Sequence, residues 1–246
     1  MQLRSKLTIA LFSTVLLAVA QTPAPTLYRI VHNTVKPDRI AEYIDIQKAI
    51  SEGSKKGGAT VRTVWRGAAG NTNEFYSVAP LSAYGDLDGE SAYAKAVPQQ
   101  QRDALGARLA QCVLSTRVTY ERVLTDASII KPNSPLPKYI RMVRARVRLG
   151  SEEEYVALLK NELVPAYKKI DVPGFRVRRI EYGGPRNEIT VTMPMEKMGE
   201  LDDQALIVKA LGADGTKKFT AKVDAIGTLR EYLIWRLVPE ASFTTQ

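Results

Sequence analysis

The sequence predicts an α+β protein in which one β-α-β-β-α-β unit occurs twice in tandem. The first observation is a self-match, because residues 73–88 return 114 positions later as residues 187–202. Over residues 73–96, eight of 24 positions are identical at this offset. The second observation is that predicted strands and helices flank both stretches in the same order. A match of this kind indicates two copies of a single structural unit.

The first unit is predicted to cover residues 26–126. Residues 27–35 alternate in polarity and are rich in β-branched side chains, which is typical of a strand. Pro37 suits the first turn of a helix, and apolar residues then recur at helical spacing as far as Gly57. The remaining predicted elements are strands at 60–66 and 74–79, helices at 92–96 and about 100–115, and a strand at 116–124. This order is that of the ferredoxin-like split unit.

A linker and a second ferredoxin-like unit follow. Residues 127–137 contain three prolines among polar residues and are predicted to be the linker. The second unit is predicted to cover residues 138–240. Its strands are predicted at 139–148, 175–181, 188–193 and 229–238, with helices after the first strand and before the last. Each unit leaves one sheet face open, and burying the two faces against each other encloses a barrel-like interior suited to a ligand.

Residues 1–20 have the layout of a secretory signal peptide. Arg4 and Lys6 precede an uncharged, mostly apolar run at residues 7–20, and the run ends in a small-x-small cleavage site at Ala20. The run is shorter than the ~20 residues that a spanning helix needs. We therefore expect a periplasmic or secreted protein cleaved after Ala20, with an uncleaved N-terminal anchor as the alternative.

Composition narrows the class of ligand. The chain carries 35 Lys and Arg against 26 Asp and Glu, and a basic surface favours anionic partners. No motif combines basic and aromatic residues as nucleic-acid-binding domains do, so we expect no nucleic acid.

The single cysteine, Cys112, excludes an intramolecular disulfide and lies on an apolar helical stripe, which favours a buried, inert thiol. One histidine, one cysteine and no clustered carboxylates predict no metal and no cofactor.

Strand alternation predicts which side chains line the interior. His32, the only histidine, is the candidate catalytic base, with a packed strand histidine as the alternative. The second unit has Arg144 at the matching position, so the two halves differ there. We expect this contrast to serve an anionic or carbonyl-bearing ligand. The predicted ligand-binding residues are Tyr28, Tyr76, Glu121, Arg144, Arg146, Thr190 and Trp235. On the last strands, the residues predicted to belong to the core on the helix-covered face are Val118, Tyr120, Tyr232 and Ile234.

Three features carry a resemblance to a known group of proteins. They are the order of elements in each unit, the run 172–175 (Val-Pro-Gly-Phe), and the strand–helix junction formed by Tyr28, Val35, Lys36, Pro37 and Tyr43. The chain resembles the dimeric α+β barrel superfamily, especially its NIPSNAP-like and antibiotic-biosynthesis-monooxygenase-like branches. Members usually pair two such units from separate chains, so the resemblance implies an intrachain barrel here. It also implies a choice among cofactor-free oxygenases, haem-degrading enzymes, isomerases and proteins without activity, which the fold alone does not decide.

The haem-degrading branch uses an Asn–Trp–His set with the histidine on a later helix. Asn33 and Trp65 are present, but no predicted helix carries a histidine, which disfavours haem. A cofactor-free oxygenase that uses Asn33 and Trp65 stays open, although Asn33 has the alternation of a helix-facing residue.

Three functions remain open at this point. The first is binding of a small molecule between the two units, by a monomer or homodimer without stable membrane insertion. The second is a cofactor-independent monooxygenase or isomerase. The third is a non-catalytic structural or interaction module, which predicts an interior filled by side chains.

Overall fold

Eight antiparallel strands close into a barrel in the computed structural model, which describes residues 26–132 and 134–245. The strands are β1 (Leu27–Val35), β2 (Val61–Ala69), β3 (Glu74–Leu81), β4 (Val113–Val123), β5 (Tyr139–Arg146), β6 (Arg176–Tyr182), β7 (Glu188–Met195) and β8 (Leu229–Leu237), and a short β9 (Phe243–Thr244) lies beside β2. The predicted signal peptide, residues 1–20, lies outside the described residues.

The helices cover the outside of this barrel. They are α1 (Ile40–Lys56), α2 (Ala92–Ala96), α3 (Gln99–Cys112), α4 (Glu152–Leu158), α5 (Val164–Lys169) and α6 (Leu206–Ala225). A π-helical turn, Leu159–Leu163, joins α4 to α5 just before Pro165, whose ring nitrogen has no hydrogen to donate to a regular helix. Gly212, at φ +71°, interrupts α6. Within the described ranges no helix combines the length and apolar character required to cross a bilayer.

The two halves of the chain pair their strands in the same way. In the first half β1 lies between β3 and β4, with β2 beyond β3; in the second, β5 lies between β7 and β8, with β6 beyond β7. Two seams, β4–β6 and β2–β8, join the halves and close the sheet. The predicted α+β class, with the open sheet faces turned inward, is confirmed by this barrel.

Three hydrophobic cores follow from the alternation of side chains along the strands. One lies between the first half's strands and its helices and includes Val35, Tyr43, Ile46, Phe75 and the buried thiol of Cys112. The second is its counterpart in the other half and includes Val147, Tyr155, Val177, Ile189 and Phe219. The third lies inside the barrel and consists of Ile30, Trp65, Tyr76, Met142 and Trp235.

The prediction for Tyr232 is wrong. Its side chain has the outward alternation expected, but it is 67% exposed because it lies outside the core that the second half's helices cover. Two residues on, Ile234 is buried as predicted. Outward alternation therefore marks the face of a strand, whereas burial depends on where the helices lie.

Each half ends in a short segment that packs against the other half. Ala127, after β4, is buried in the second half's core, and Ala241, after β8, is buried in the first half's core. Ile129 forms a bridge with Phe175. The beginning of the predicted linker, residues 127–137, is therefore packed into the fold, and the two halves interlock.

Candidate functional site at the polar end of the barrel

Three aromatic side chains lie together in the barrel interior, those of His32, Tyr76 and Trp235. We call this part of the interior the polar end, because the charged residues beside them are Arg117, Arg144, Arg146 and Glu188. In the strand registers, His32 on β1 lies opposite Tyr76 on β3 and opposite Arg117 on β4. The rings of His32 and Tyr76 stack, with centroids 4.4 Å apart and an 18° interplanar angle. Trp235 presents its edge to both, at 4.4 Å from Tyr76 and 6.4 Å from His32. Offset and edge-to-face contacts of this kind fix ring orientation.

The second half contributes the matching row, with different chemistry. Arg144 on β5 lies opposite Thr190 on β7 and Glu231 on β8. Arg144 Nη1 donates to Glu231 Oε2 at 2.8 Å, and its Nη2 donates to the hydroxyl of Tyr76. Burial raises the pKa of Tyr76 to about 12, so this hydroxyl stays protonated at neutral pH. Arg144 thus reaches across the interior and connects the two halves.

Glu188 is the buried anion of the site. Its side chain is only 3% exposed and lies 3.1 Å from Arg117 Nη2, 3.2 Å from Arg146 Nη2 and 3.7 Å from Arg144 Nε. A buried carboxylate needs such partners, since removing charge from water is costly. Three guanidinium groups around one carboxylate leave an excess of positive charge. Glu231, whose side chain is half exposed, offsets part of this charge from the solvent side.

His32 is held as a neutral base. Burial lowers the pKa of His32; Glu74 acts in the opposite direction, and Arg144 and Arg117 lower the pKa further. His32 Nε2 approaches Glu74 Oε2 to 3.2 Å, but without the alignment of a hydrogen bond. A neutral imidazole at pH 7 can accept a proton from a bound molecule.

Five buried polar atoms on the interior strand faces have no hydrogen-bond partner among the described residues. They are His32 Nε2, Arg117 Nε, Glu121 Oε2, Arg178 Nε and Trp235 Nε1. Glu121 Oε2 and Arg178 Nε lie 3.4 Å apart as an ion pair, which leaves the other three at the polar end. Buried polar atoms are nearly always paired, so a cluster of unpaired ones requires an explanation. Bound water or a bound polar molecule would satisfy them.

Two of the predicted ligand-binding residues lie apart from the three aromatic side chains. Glu121 pairs with Arg178 on β6 at 3.4 Å and accepts a hydrogen bond from Thr119 Oγ1 at 3.0 Å. Tyr28 lies under the guanidinium of Arg176, 5.9 Å from its ring centroid. These residues form a second polar group beside β6.

The structure brings the other predicted residues together at the polar end. His32, Tyr76, Trp235 and Arg144 are in direct contact, Arg146 joins them through Glu188, and Thr190 lies beside Arg144 in the strand register. Sequence reasoning missed Arg117. The sequence contains a signal for it, because Arg117 shares the strand alternation of Glu121, a predicted interior residue. At the repeat offset of 114, position 117 also corresponds to Glu231, the partner of Arg144.

Asn33 and Trp65 do not form a joint site. Asn33 Nδ2 donates to the hydroxyl of Tyr43 on α1 at 2.8 Å and therefore faces the helices. Trp65 lies in the interior core, where its Nε1 donates to Thr63 Oγ1 at 2.9 Å. The two side chains are on opposite faces of the sheet, so the oxygenase hypothesis based on this pair is wrong.

Comparison with known proteins identifies the fold. No protein-family model and no curated protein sequence matches the chain. A proposed monooxygenase from Lactobacillus acidophilus NCFM is similar, with TM-score 0.60, 12% identity and coverage of 89% of this chain and 96% of that one. An anthrone oxidase-like protein gives TM-score 0.60, 14% identity and 87% and 92% coverage. A proposed monooxygenase from Fusobacterium nucleatum gives 0.59, 11%, 88% and 94%.

The likeness to these structures shows that the described residues share their fold, the closed α+β barrel. The predicted resemblance is confirmed at that level. Identities of this size indicate fold and leave the chemistry to the site itself.

Proposed function

We propose that the polar end of the barrel binds a small organic molecule that carries a carbonyl or anionic oxygen. The observation that carries this proposal is that three buried polar atoms at this end, His32 Nε2, Arg117 Nε and Trp235 Nε1, have no hydrogen-bond partner among the described residues. A single unpaired buried polar atom occurs in many proteins, but three on neighbouring side chains of one interior fit a polar ligand.

The side chains suggest how such a ligand is held. Arg117 and Arg146 share Glu188 but are 40% and 52% exposed, so their remaining N–H groups are available to an incoming oxygen. The stacked pair of His32 and Tyr76, with the edge of Trp235, offers an aromatic surface to the body of the ligand. Charge-assisted hydrogen bonds from arginine then set its orientation.

Binding is tested with anthrone and hydroquinone under anaerobic conditions, using tryptophan fluorescence, and with native mass spectrometry of the purified protein. We expect at least one of these compounds or a copurified molecule to bind, and Arg117→Gln to weaken binding about tenfold. Arg122→Gln, which alters an arginine of the outer face, is the matched control. Failure of every compound, with no copurified molecule, would support the non-catalytic module instead, whose interior is filled by Ile30, Met142 and Trp235.

A cofactor-independent monooxygenase is the second candidate. It is favoured by the neutral His32 beside two aromatic rings and by neighbours described as monooxygenases and as anthrone oxidase-like. In this reaction His32 takes a proton from an activated CH₂ carbon, and O₂ adds to the resulting carbanion. Protonated His32 returns its proton to the peroxide anion, and the resulting hydroperoxide loses water to give a carbonyl. One oxygen atom therefore enters the product and the other leaves as H₂O. An isomerase would use the same proton transfer without O₂.

Oxygen uptake separates these reactions. With anthrone in air, the monooxygenase hypothesis predicts consumption of one O₂ per carbonyl formed and at least a 100-fold loss of rate in His32→Gln. Binding under anaerobic conditions should persist in that variant. Equal rates in the wild type and His32→Gln would remove His32 from the chemistry.

We further propose that the chain arose by tandem duplication, belongs with the NIPSNAP-like members of the fold, and is exported. The common pairing order of the two halves and the repeat at residues 73–88 and 187–202 support duplication. The signal-like residues 1–20 support export. N-terminal sequencing of the protein from a periplasmic or medium fraction should begin at Gln21; a start at Met1 in the cytosol would contradict export.

A further inference from the structure

The two seams of the barrel carry the same unusual pair of residues on their outer faces. At the β4–β6 seam Arg122 lies directly opposite Arg179, and at the β2–β8 seam Arg236 lies directly opposite Arg66. Like charges directly opposite each other on neighbouring strands are destabilising. Each pair therefore needs compensating negative charge.

At the β4–β6 seam the protein supplies that charge itself. Arg122 donates from Nε and Nη2 to the two oxygens of Glu181, at 2.6 and 3.0 Å. Glu181 also accepts from the hydroxyl of Tyr84 at 2.6 Å. Arg179 pairs with Glu153 on α4. Both arginines of this seam are thus neutralised.

At the β2–β8 seam the carboxylates are missing. Arg66 is fixed by a hydrogen bond from Nε to the Thr72 carbonyl at 2.8 Å and by the ring of Phe75, 5.8 Å from its guanidinium carbon. The side chain of Arg236 has no hydrogen bond or ion pair with any residue in 26–132 or 134–245. Two residues beyond Arg66 the chain has Ala68, whereas two residues beyond Arg179 it has Glu181. The outer ends of the Arg66 guanidinium are left open.

These arginines line a groove. It has a volume of about 430 Å³ and gains a third cation from Lys138, while Glu240 is the only acidic residue in its lining. Ile44 and Pro239 provide apolar walls. The groove thus combines excess positive charge with apolar surface, which suits a molecule with a negative head and an apolar body.

We propose that this groove binds a small organic anion, with its carboxylate or phosphate between Arg66 and Arg236 and its apolar part against Ile44 and Pro239. The ligand's anion takes the place that Glu181 has at the other seam. The site is on the outside of the barrel and is separate from the polar end, because Trp65 and Trp235, the strand neighbours of the two arginines, point inward.

Isothermal titration calorimetry with 2-naphthoate tests the proposal. The uncharged 2-naphthylmethanol measures the apolar contribution to binding, and inorganic phosphate measures the anionic contribution. We expect the wild type to bind 2-naphthoate with Kd below about 1 mM, and Arg236→Gln and Arg66→Gln to weaken it about tenfold each. Arg122→Gln at the other seam is the matched control and should leave the Kd unchanged. Phosphate binding without 2-naphthoate binding would contradict the apolar half of the proposal.

Ala68→Glu gives an independent test, because it supplies the carboxylate that the other seam has. We expect it to weaken 2-naphthoate binding about tenfold and to raise Tm. Wild-type affinity in Arg236→Gln and Arg66→Gln would overturn the site. So would a loss of affinity in Arg117→Gln alone, since the anion would then be binding at the polar end.

Discussion

Glu188 holds the arginines of the polar end together. A single buried carboxylate satisfies N–H groups from two strands, and its loss would leave Arg117, Arg144 and Arg146 facing one another. Strand alternation over the predicted strand 188–193 places Glu188 on the interior face. It could not show that all three arginines converge on it, because Arg117 belongs to β4 and the others to β5.

Glu188→Gln should therefore destabilise the fold by about 2–3 kcal/mol, toward the lower end for a broken buried ion pair because two of the arginines can turn to solvent. Glu231→Gln is the control: its carboxylate is 50% exposed, and we expect a change below about 1 kcal/mol. Urea unfolding measures both. Equal effects would mean that Glu188 has no special role.

His32 predicts a pH dependence of stability. Its folded pKa lies below the unfolded value of 6.5, so the unfolded chain binds more protons in that range. Its contribution is fully present above pH 6.5 and is lost as the pH falls from 6.5 toward the folded pKa. Urea unfolding from pH 7.5 downward should show a smaller loss of stability in His32→Gln than in the wild type. Parallel curves would contradict a lowered pKa.

At the level of strands and helices, the local sequence pattern predicted much of the observed secondary structure. The predicted range of β1, residues 27–35, is the observed one, and alternation placed His32 and Tyr76 on one face because residues two apart share a side of the sheet. The predicted helix at 100–115 instead ends at Cys112. Val113 pairs with Val35 across the sheet, so tertiary pairing turned the end of the helical pattern into strand.

Two aromatic residues of β8 test whether burial depends on the helices that cover a strand as well as on the face that a residue occupies. Trp235 is 1% exposed inside the barrel, and Trp235→Ala should cost about 3–5 kcal/mol. Tyr232→Ala, on the opposite face of the same strand, should change stability by less than about 0.5 kcal/mol. Thermal unfolding of the two variants decides; a large cost at Tyr232 would mean that a helix covers it in solution.

For the whole molecule, closure of the barrel removes the free edges that two separate sheets would expose. The seams β4–β6 and β2–β8 have no local sequence signal, because they join strands far apart in the chain. The groove at one seam and the ion pairs at the other were invisible for the same reason. The segment after β4 was likewise predicted to be a linker, and Ala241, in the segment after β8, lies beyond the predicted second unit.

Deletion of residues 239–246 should weaken the first half. It removes Ala241 from the core beside α1 and breaks the 2.6 Å hydrogen bond from Ser51 Oγ to the Ala241 carbonyl. We expect a loss of about 2 kcal/mol, or about 4–8 °C in Tm. Hydrogen exchange should locate the loss in α1, and deletion of residues 245–246 alone should have little effect. Unchanged protection of α1 would contradict the interlocked arrangement.

The central claim is that the polar end of the barrel is a binding site, and a high-resolution crystal structure of the protein as purified, or soaked with anthrone, tests it most directly. The proposal predicts electron density for an organic molecule within hydrogen-bond distance of Arg117 and in contact with the rings of His32 and Tyr76. An interior in which only side chains and isolated waters satisfy His32 Nε2, Arg117 Nε and Trp235 Nε1 would contradict it.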